Sequence, residues 1–173
     1  MMDIKIGTEV TLSKKQIDYC ELLAIQKMER HRGLGVEDFI VKAGDNGFDR
    51  DFSSIKAQMA ITIAAGSKFN SSTQPRSAFL GTDQPHTVFS DGTSITVRTT
   101  KYKNGHLASG LYKKPVADLF VLLIEKGDTF IIKGFIKQKD FYKKERIKYL
   151  GDSEVYAVRQ DELFEYEQLV WNN

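Results

Sequence analysis

The run LFVLLI, Leu119 to Ile124, limits the fold of this chain more than any other stretch. Six apolar residues in succession leave no polar side for water, so the run fits a strand covered on both faces of a sheet. Gly127 and Asp128 then supply a turn, and Thr129 to Ile136 reads as the neighbouring strand. A length of 173 residues suits one domain, residues 1–173, with a core of two or three layers.

Helices precede the strands. Ser13 and Gln16 match a capping box, and Ile17, Cys20, Leu23 or Ala24, and Met28 recur at helical spacing until Gly33 offers a stop. Gly33 to Asp51 reads as a loop with a short extended piece at Phe39 to Val41. A second helix opens at Ile55, after Ser53 and Ser54, and closes at Gly66, with an apolar face broad enough for burial. Ser67 to Gln84 is polar and reads as an exposed connection. Thr87 to Phe89 and Thr93 to Thr100 flank Asp91-Gly92, the signature of a two-residue hairpin. Val155 to Val158 forms a last short strand, and Asp161 to Leu163 begins a terminal turn. The expected class is mixed α/β (α+β), with a central mixed sheet and flanking helices.

Composition narrows the function classes. No apolar run approaches membrane-spanning length, and the first residues carry no export signal, so a soluble protein in a reducing, cytoplasmic setting is expected, with no membrane partner. Cys20 is the single cysteine, which excludes an internal disulfide or a multi-cysteine metal site. His31, His86 and His106 are far apart in sequence and lack ligand spacing. The net charge of +2 is small but uneven. Arg98, Lys101, Lys103, Lys113 and Lys114 occur without an intervening acid, and Lys133 to Lys148 is a second basic stretch that includes Lys137 and Lys139. Such stretches suit either a phosphate backbone or a solvated edge protected from pairing.

The segments SIKAQMAITIAAG, SDGTSITVRTTKY, ADLFVLLIEKGDTFIIKGFIKQKDF and VYAVRQDEL occur in that order. In order and spacing the chain resembles, over nearly its whole length, bacteriophage-encoded proteins of the PD-(D/E)XK restriction-endonuclease-like fold, most of them uncharacterised. The resemblance implies a nuclease-like domain acting on DNA in a phage-infected cell, with Mg²⁺ or Mn²⁺ as cofactor if active. In that pattern a helix acid, a hairpin acid, a strand acid and a basic residue two positions on converge on the metal. The family positions fall on Gln58, Asp91, Thr96 and Arg98. Two carboxylates are therefore missing. A Gln carbonyl and a Thr hydroxyl bring no charge to the metal, and Arg98 can clamp phosphate but cannot act as a base. Asp91 is the one metal ligand retained, with Asp83 or Asp118 as replacement acids if the backbone brings them close.

Each of these residues also has a plain structural role. Asp91 before Gly92 favours a turn, Thr96 a strand and Gln58 a helix surface; Arg98 suits an ion pair and Asp118 a turn cap. Lys133 and Lys137, around Gly134, suit a sheet edge. The resemblance with its missing acids implies a nucleic-acid-binding domain with a degenerate metal site, using Arg98, Lys101, Lys103, Lys113, Lys114, Lys137 and Lys139. An active endonuclease using displaced acids is the alternative. A third reading is a factor that acts on a host or defence protein, which an exposed apolar patch or a dimer would mark. Tyr102, Tyr112 and Tyr142 suit either base stacking or packing.

Overall fold

The computed structural model describes residues 2–33, 47–71, 85–112 and 116–170. The expected extended piece at 39–41, most of the polar connection, Asp83, Lys113 and Lys114 lie outside those residues. The chain runs through β1 (Glu9–Thr11), α1 (Lys14–Gly33), α2 (Gly47–Ala64), β2 (Thr87–Val88), β3 (Ser94–Thr100), β4 (Leu107–Gly110), β5 (Leu119–Lys126) and β6 (Thr129–Lys137). It continues through α3 (Gln138–Phe141), a 3-10 turn at Lys144–Arg146, β7 (Ile147–Leu150), β8 (Ser153–Val158), a second 3-10 turn at Gln160–Glu162, and α4 (Tyr166–Val170). The class is mixed α/β, as expected. No helix among the described residues is long and apolar enough to cross a membrane.

The central sheet has the order β1-β6-β5-β3-β2, with β3 and β5 parallel and the other pairs antiparallel. Strand β5 is buried from Leu119 to Glu125, as its apolar run requires. Alternate residues face opposite layers. Ile95, Val97, Leu119, Val121 and Leu123 pack with α1 and α2, whereas Phe120, Leu122 and Ile136 pack with Leu107, Tyr156 and Val158. That second layer is a three-stranded sheet, β4-β8-β7. The sequence reading found β8 but not its partners β4 and β7. Both are four residues long, too short for a clear alternating pattern.

Helix α1 begins as its capping box predicts. The Gln16 side chain accepts the Ser13 amide at 2.8 Å, and Ser13 Oγ accepts the Gln16 amide at 3.3 Å. Helix α2 starts at Gly47, eight residues before the expected Ile55. Tertiary contacts override the Gly- and Asp-rich composition there. Phe48 and Phe52, one turn apart, stack with ring centroids 5.8 Å apart, and Lys27 of α1 pairs with Asp51 at 2.7 Å. Further along α2, Lys56 pairs with Glu125 of β5 at 3.0 Å, with the two side chains only 10% and 6% exposed. Ser53 Oγ donates to the other Glu125 oxygen, and the Lys56 ammonium lies 4.7 Å from the Phe52 ring centroid.

Strand β6 is not an edge, contrary to the reading of Lys133 and Lys137. It lies between β1 and β5. Lys133 is the extra residue of a bulge, since Leu122 pairs with Gly134 and Leu123 with Ile132. Gly134 adopts φ +128° there, and past it Phe135 exchanges both backbone hydrogen bonds with Phe164.

Candidate functional site

A cavity of about 770 Å³ opens where β3 and β5 begin and β6 ends. Asp91, Ser94, Asp118, Lys137, Lys139 and Tyr142 contribute to its wall. Parallel pairing of β3 with β5 accounts for the meeting of residues distant in sequence. Ile95 pairs with Leu119, so the residues just before each, Ser94 and Asp118, stand side by side. Leu119 in turn pairs with Lys137 of β6.

Asp118 is held firmly. Its Oδ2 accepts the Ser94 amide and the Ser94 hydroxyl, each at 2.8 Å, and Ser94 Oγ accepts the Asp118 amide at 2.8 Å. Gln138 closes the neighbouring position, where its side chain accepts the Ala117 amide at 2.9 Å and its own amide donates to the Asp118 carbonyl. Asp118 is thus the cap anticipated for it, but its carboxylate also lines the cavity.

Asp91 is the second acid of the wall. The connection is longer than the two-residue hairpin expected: the Gly92 amide bonds the Phe89 carbonyl, the Phe89 amide bonds the Thr93 carbonyl, and Gly92 takes φ +89°. Asp91 Oδ1 accepts the Thr93 amide at 2.9 Å, and Oδ2 accepts the Tyr166 hydroxyl at 2.5 Å. Partial burial works to raise the Asp91 pKa, but the bonds from Tyr166 and Thr93 outweigh it and hold the carboxyl below its ordinary range. Burial, reinforced by the bond to Asp91, pushes the Tyr166 hydroxyl well above the usual tyrosine range, so it remains a neutral donor. Tyr166 is fixed between Phe89 and Phe135, with ring centroids 5.4 Å from each. Nothing local in the sequence marks this residue, which comes from 75 positions away.

Tyr166→Phe tests that pair. Because the folded pKa of Asp91 is depressed, its contribution is complete above the ordinary value of 3.8 and is lost as pH falls through the folded value. The variant should lose about 1 kcal/mol at neutral pH, the low end for a charge-assisted bond because Asp91 is exposed. Its stability should also fall less steeply on the acid side. Urea unfolding across pH measures both effects, and parallel acid limbs would show that the bond does not set the Asp91 titration.

The other family positions do not reach this cavity wall. Gln58 is 4% exposed on α2, and its amide nitrogen donates to Ser54 Oγ at 3.2 Å. Helix α2 covers the Ile95 and Val97 face of β3, whereas Thr96 and Arg98 pair in register with Phe120 and Leu122 and share the face toward the second sheet. Gln58 and the Thr96–Arg98 row therefore belong to opposite layers. Thr96 is fully buried, with no hydrogen-bond partner for its hydroxyl. Arg98 lies four residues along β3 from Ser94, about 13 Å at strand rise. His86 is also structural, since its Nδ1 accepts the Val97 amide at 3.0 Å.

The basic residues divide in the same way. Lys137 and Lys139 are at the cavity, but Lys101 and Lys103 lie beyond the opposite end of β3, about 20 Å away. Gln160 holds that distant turn by donating to the Lys103 and Gly105 carbonyls at 2.9 Å. Tyr102, between the two lysines, is 80% exposed, and Tyr112 is 98% exposed. Tyr142 instead packs against Phe120, Phe141 and Tyr156.

A divalent ion does not fit the donors present. Two carboxylates line the cavity, both Asp91 oxygens already accept hydrogen bonds, and no group of three or more His, Cys, Asp or Glu residues among those described could hold a metal ion. Mg²⁺ requires a near-octahedral set of oxygens. In comparisons with known proteins, no family model, no curated protein and no solved structure matches this chain.

Proposed function

We propose that this chain is a nucleic-acid-binding domain related to the PD-(D/E)XK nucleases, which holds a backbone phosphate at the strand-end cavity and does not cut it. The observation that carries this reading is the position of Lys137 and Lys139 on the wall of one open cavity, beside two acids already engaged by Ser94, Tyr166 and Thr93. The lysines supply cationic donors for a phosphate oxygen. The engaged acids leave no cage for an ion that would activate water, and Arg98, always protonated, cannot replace a base. Lys101, Lys103 and Tyr102 form a separate contact point, where an exposed ring between two cations suits an unpaired base.

Fluorescence anisotropy with labelled single-stranded and double-stranded DNA tests this reading. Affinity should fall steeply with salt. Replacing both Lys137 and Lys139 by Ala should reduce the log–log salt slope by about 1.8 on duplex DNA, at about 0.9 per phosphate contact. An unchanged slope would remove the cavity from the interface. DNA cleavage in Mn²⁺ that disappears in Asp91→Ala would replace the binding reading with that of an active nuclease.

A further inference from the structure

Helix α1 has one more apolar row than its packing on the body uses. Cys20, Leu23 and Ala24 are buried against the core, with Ile17 packed beside them. Tyr19, Leu22 and Ile25 point away from it and are 42%, 50% and 37% exposed among the described residues. Residues seven apart on a helix differ in direction by only about 20°, so Lys15, Leu22 and Glu29 form a line along this outer face. Tyr19 with Gln26, and Asp18 with Ile25, form parallel lines on either side. All seven side chains are exposed. Asp18 is already paired with Lys14 at 3.0 Å, and Tyr19 leans edge-on against Phe69.

The charges in this row are arranged about Leu22. Lys15 precedes it by seven residues and Glu29 follows by seven, about 10 Å each way at helical rise. A two-fold axis through Leu22, with the helices antiparallel, brings each lysine opposite the glutamate of the other copy. A parallel arrangement sets lysine on lysine and glutamate on glutamate. We infer that the outer face of α1 is a homodimer interface, with a second copy of this chain packing its own α1 antiparallel across Leu22, flanked by two Lys15–Glu29 pairs. This apolar face is independent of the cavity and of the nucleic-acid reading.

Sedimentation equilibrium of the full chain over a range of concentrations tests the inference. A reversible dimer is expected, abolished by Leu22→Arg. Lys15→Glu and Glu29→Lys should each weaken the dimer about tenfold, since either change creates two like-charge contacts across the axis. The double variant Lys15→Glu/Glu29→Lys should return close to the starting affinity, because the pairs re-form with their signs exchanged. Circular dichroism and thermal unfolding confirm that each exposed substitution leaves the fold intact. The Lys137→Ala/Lys139→Ala chain should dimerise normally whether or not it binds DNA. A monomer at every concentration, a dimer indifferent to Leu22→Arg, or a double variant no stronger than the single ones would overturn the inference.

Discussion

Glu125→Ala is expected to lower the unfolding free energy by about 3–5 kcal/mol, the usual cost of leaving one member of a buried ion pair without its counter-charge. The side chain lost is 6% exposed and accepts bonds from both Lys56 and Ser53. Its removal strands the Lys56 ammonium between α2 and the sheet, where the Phe52 and Phe130 rings offer only partial compensation. Replacing the pair together, as Lys56→Met/Glu125→Leu, removes the uncompensated charge as well, so that variant should be near neutral or more stable than the parent. Urea unfolding of the two single variants and the double variant measures the coupling. Additive losses would mean that Lys56 and Glu125 do not depend on one another. The pair lies at the end of β5 remote from Asp118, so DNA affinity should be unchanged wherever the fold survives.

Gly134→Ala is the second substitution with a large expected effect. The backbone at φ +128° lies where L side chains are strained, at about 1–3 kcal/mol. The added methyl would also meet Leu163 Cβ at 2.7 Å and the Phe164 carbonyl oxygen at 3.1 Å. Overpacking of that kind costs about 1–3 kcal/mol, giving an expected loss of about 4 kcal/mol in all. Gly110→Ala is the control, since a methyl there meets nothing within 4 Å, and it should change stability by less than about 0.5 kcal/mol. Hydrogen exchange locates the damage. The Phe135 and Phe164 amides, which bond each other's carbonyls at 2.8 and 2.9 Å, should lose protection first. Tyr166 follows Phe164 by two residues, so its hold on Asp91 should loosen with them. Equal losses in the Ala variants of Gly134 and Gly110 would show that neither the strain nor the contact with Leu163 is real.

Where the sequence was legible, the information was local. An unbroken apolar run requires cover on both faces wherever it lies, and Leu119 to Ile124 received it. The capping box at Ser13 and the stripe through Cys20 fix where α1 starts and which side it buries, because both depend on residues within a few turns. The turn at Asp91-Gly92 was also legible, although its five-residue connection was not, because the Phe89–Thr93 bonds lengthen it. The early start of α2 was hidden for a related reason. Phe48 and Phe52 gain from burial against a core that the loop-like composition does not advertise.

The candidate site was legible only in pieces. Asp91, Asp118, Lys137 and Lys139 could each be named from the sequence, but their meeting depends on two strand registers, β3 with β5 and β5 with β6. The same parallel register puts Thr96 and Arg98 in the layer opposite α2 and Gln58, which residue spacing along one strand cannot reveal. Tyr166 had no signal because its contact spans 75 residues, and Lys56 with Glu125 had none because an ion pair between separate elements leaves no local pattern. By itself the sequence determined which segments must be buried and where the first helix is capped, through hydrophobic period and side-chain bonds to the nearby backbone. Only the tertiary structure decided which charges share a cavity, which face each other in the core and which remain on an open helix face, because those depend on how distant segments stack.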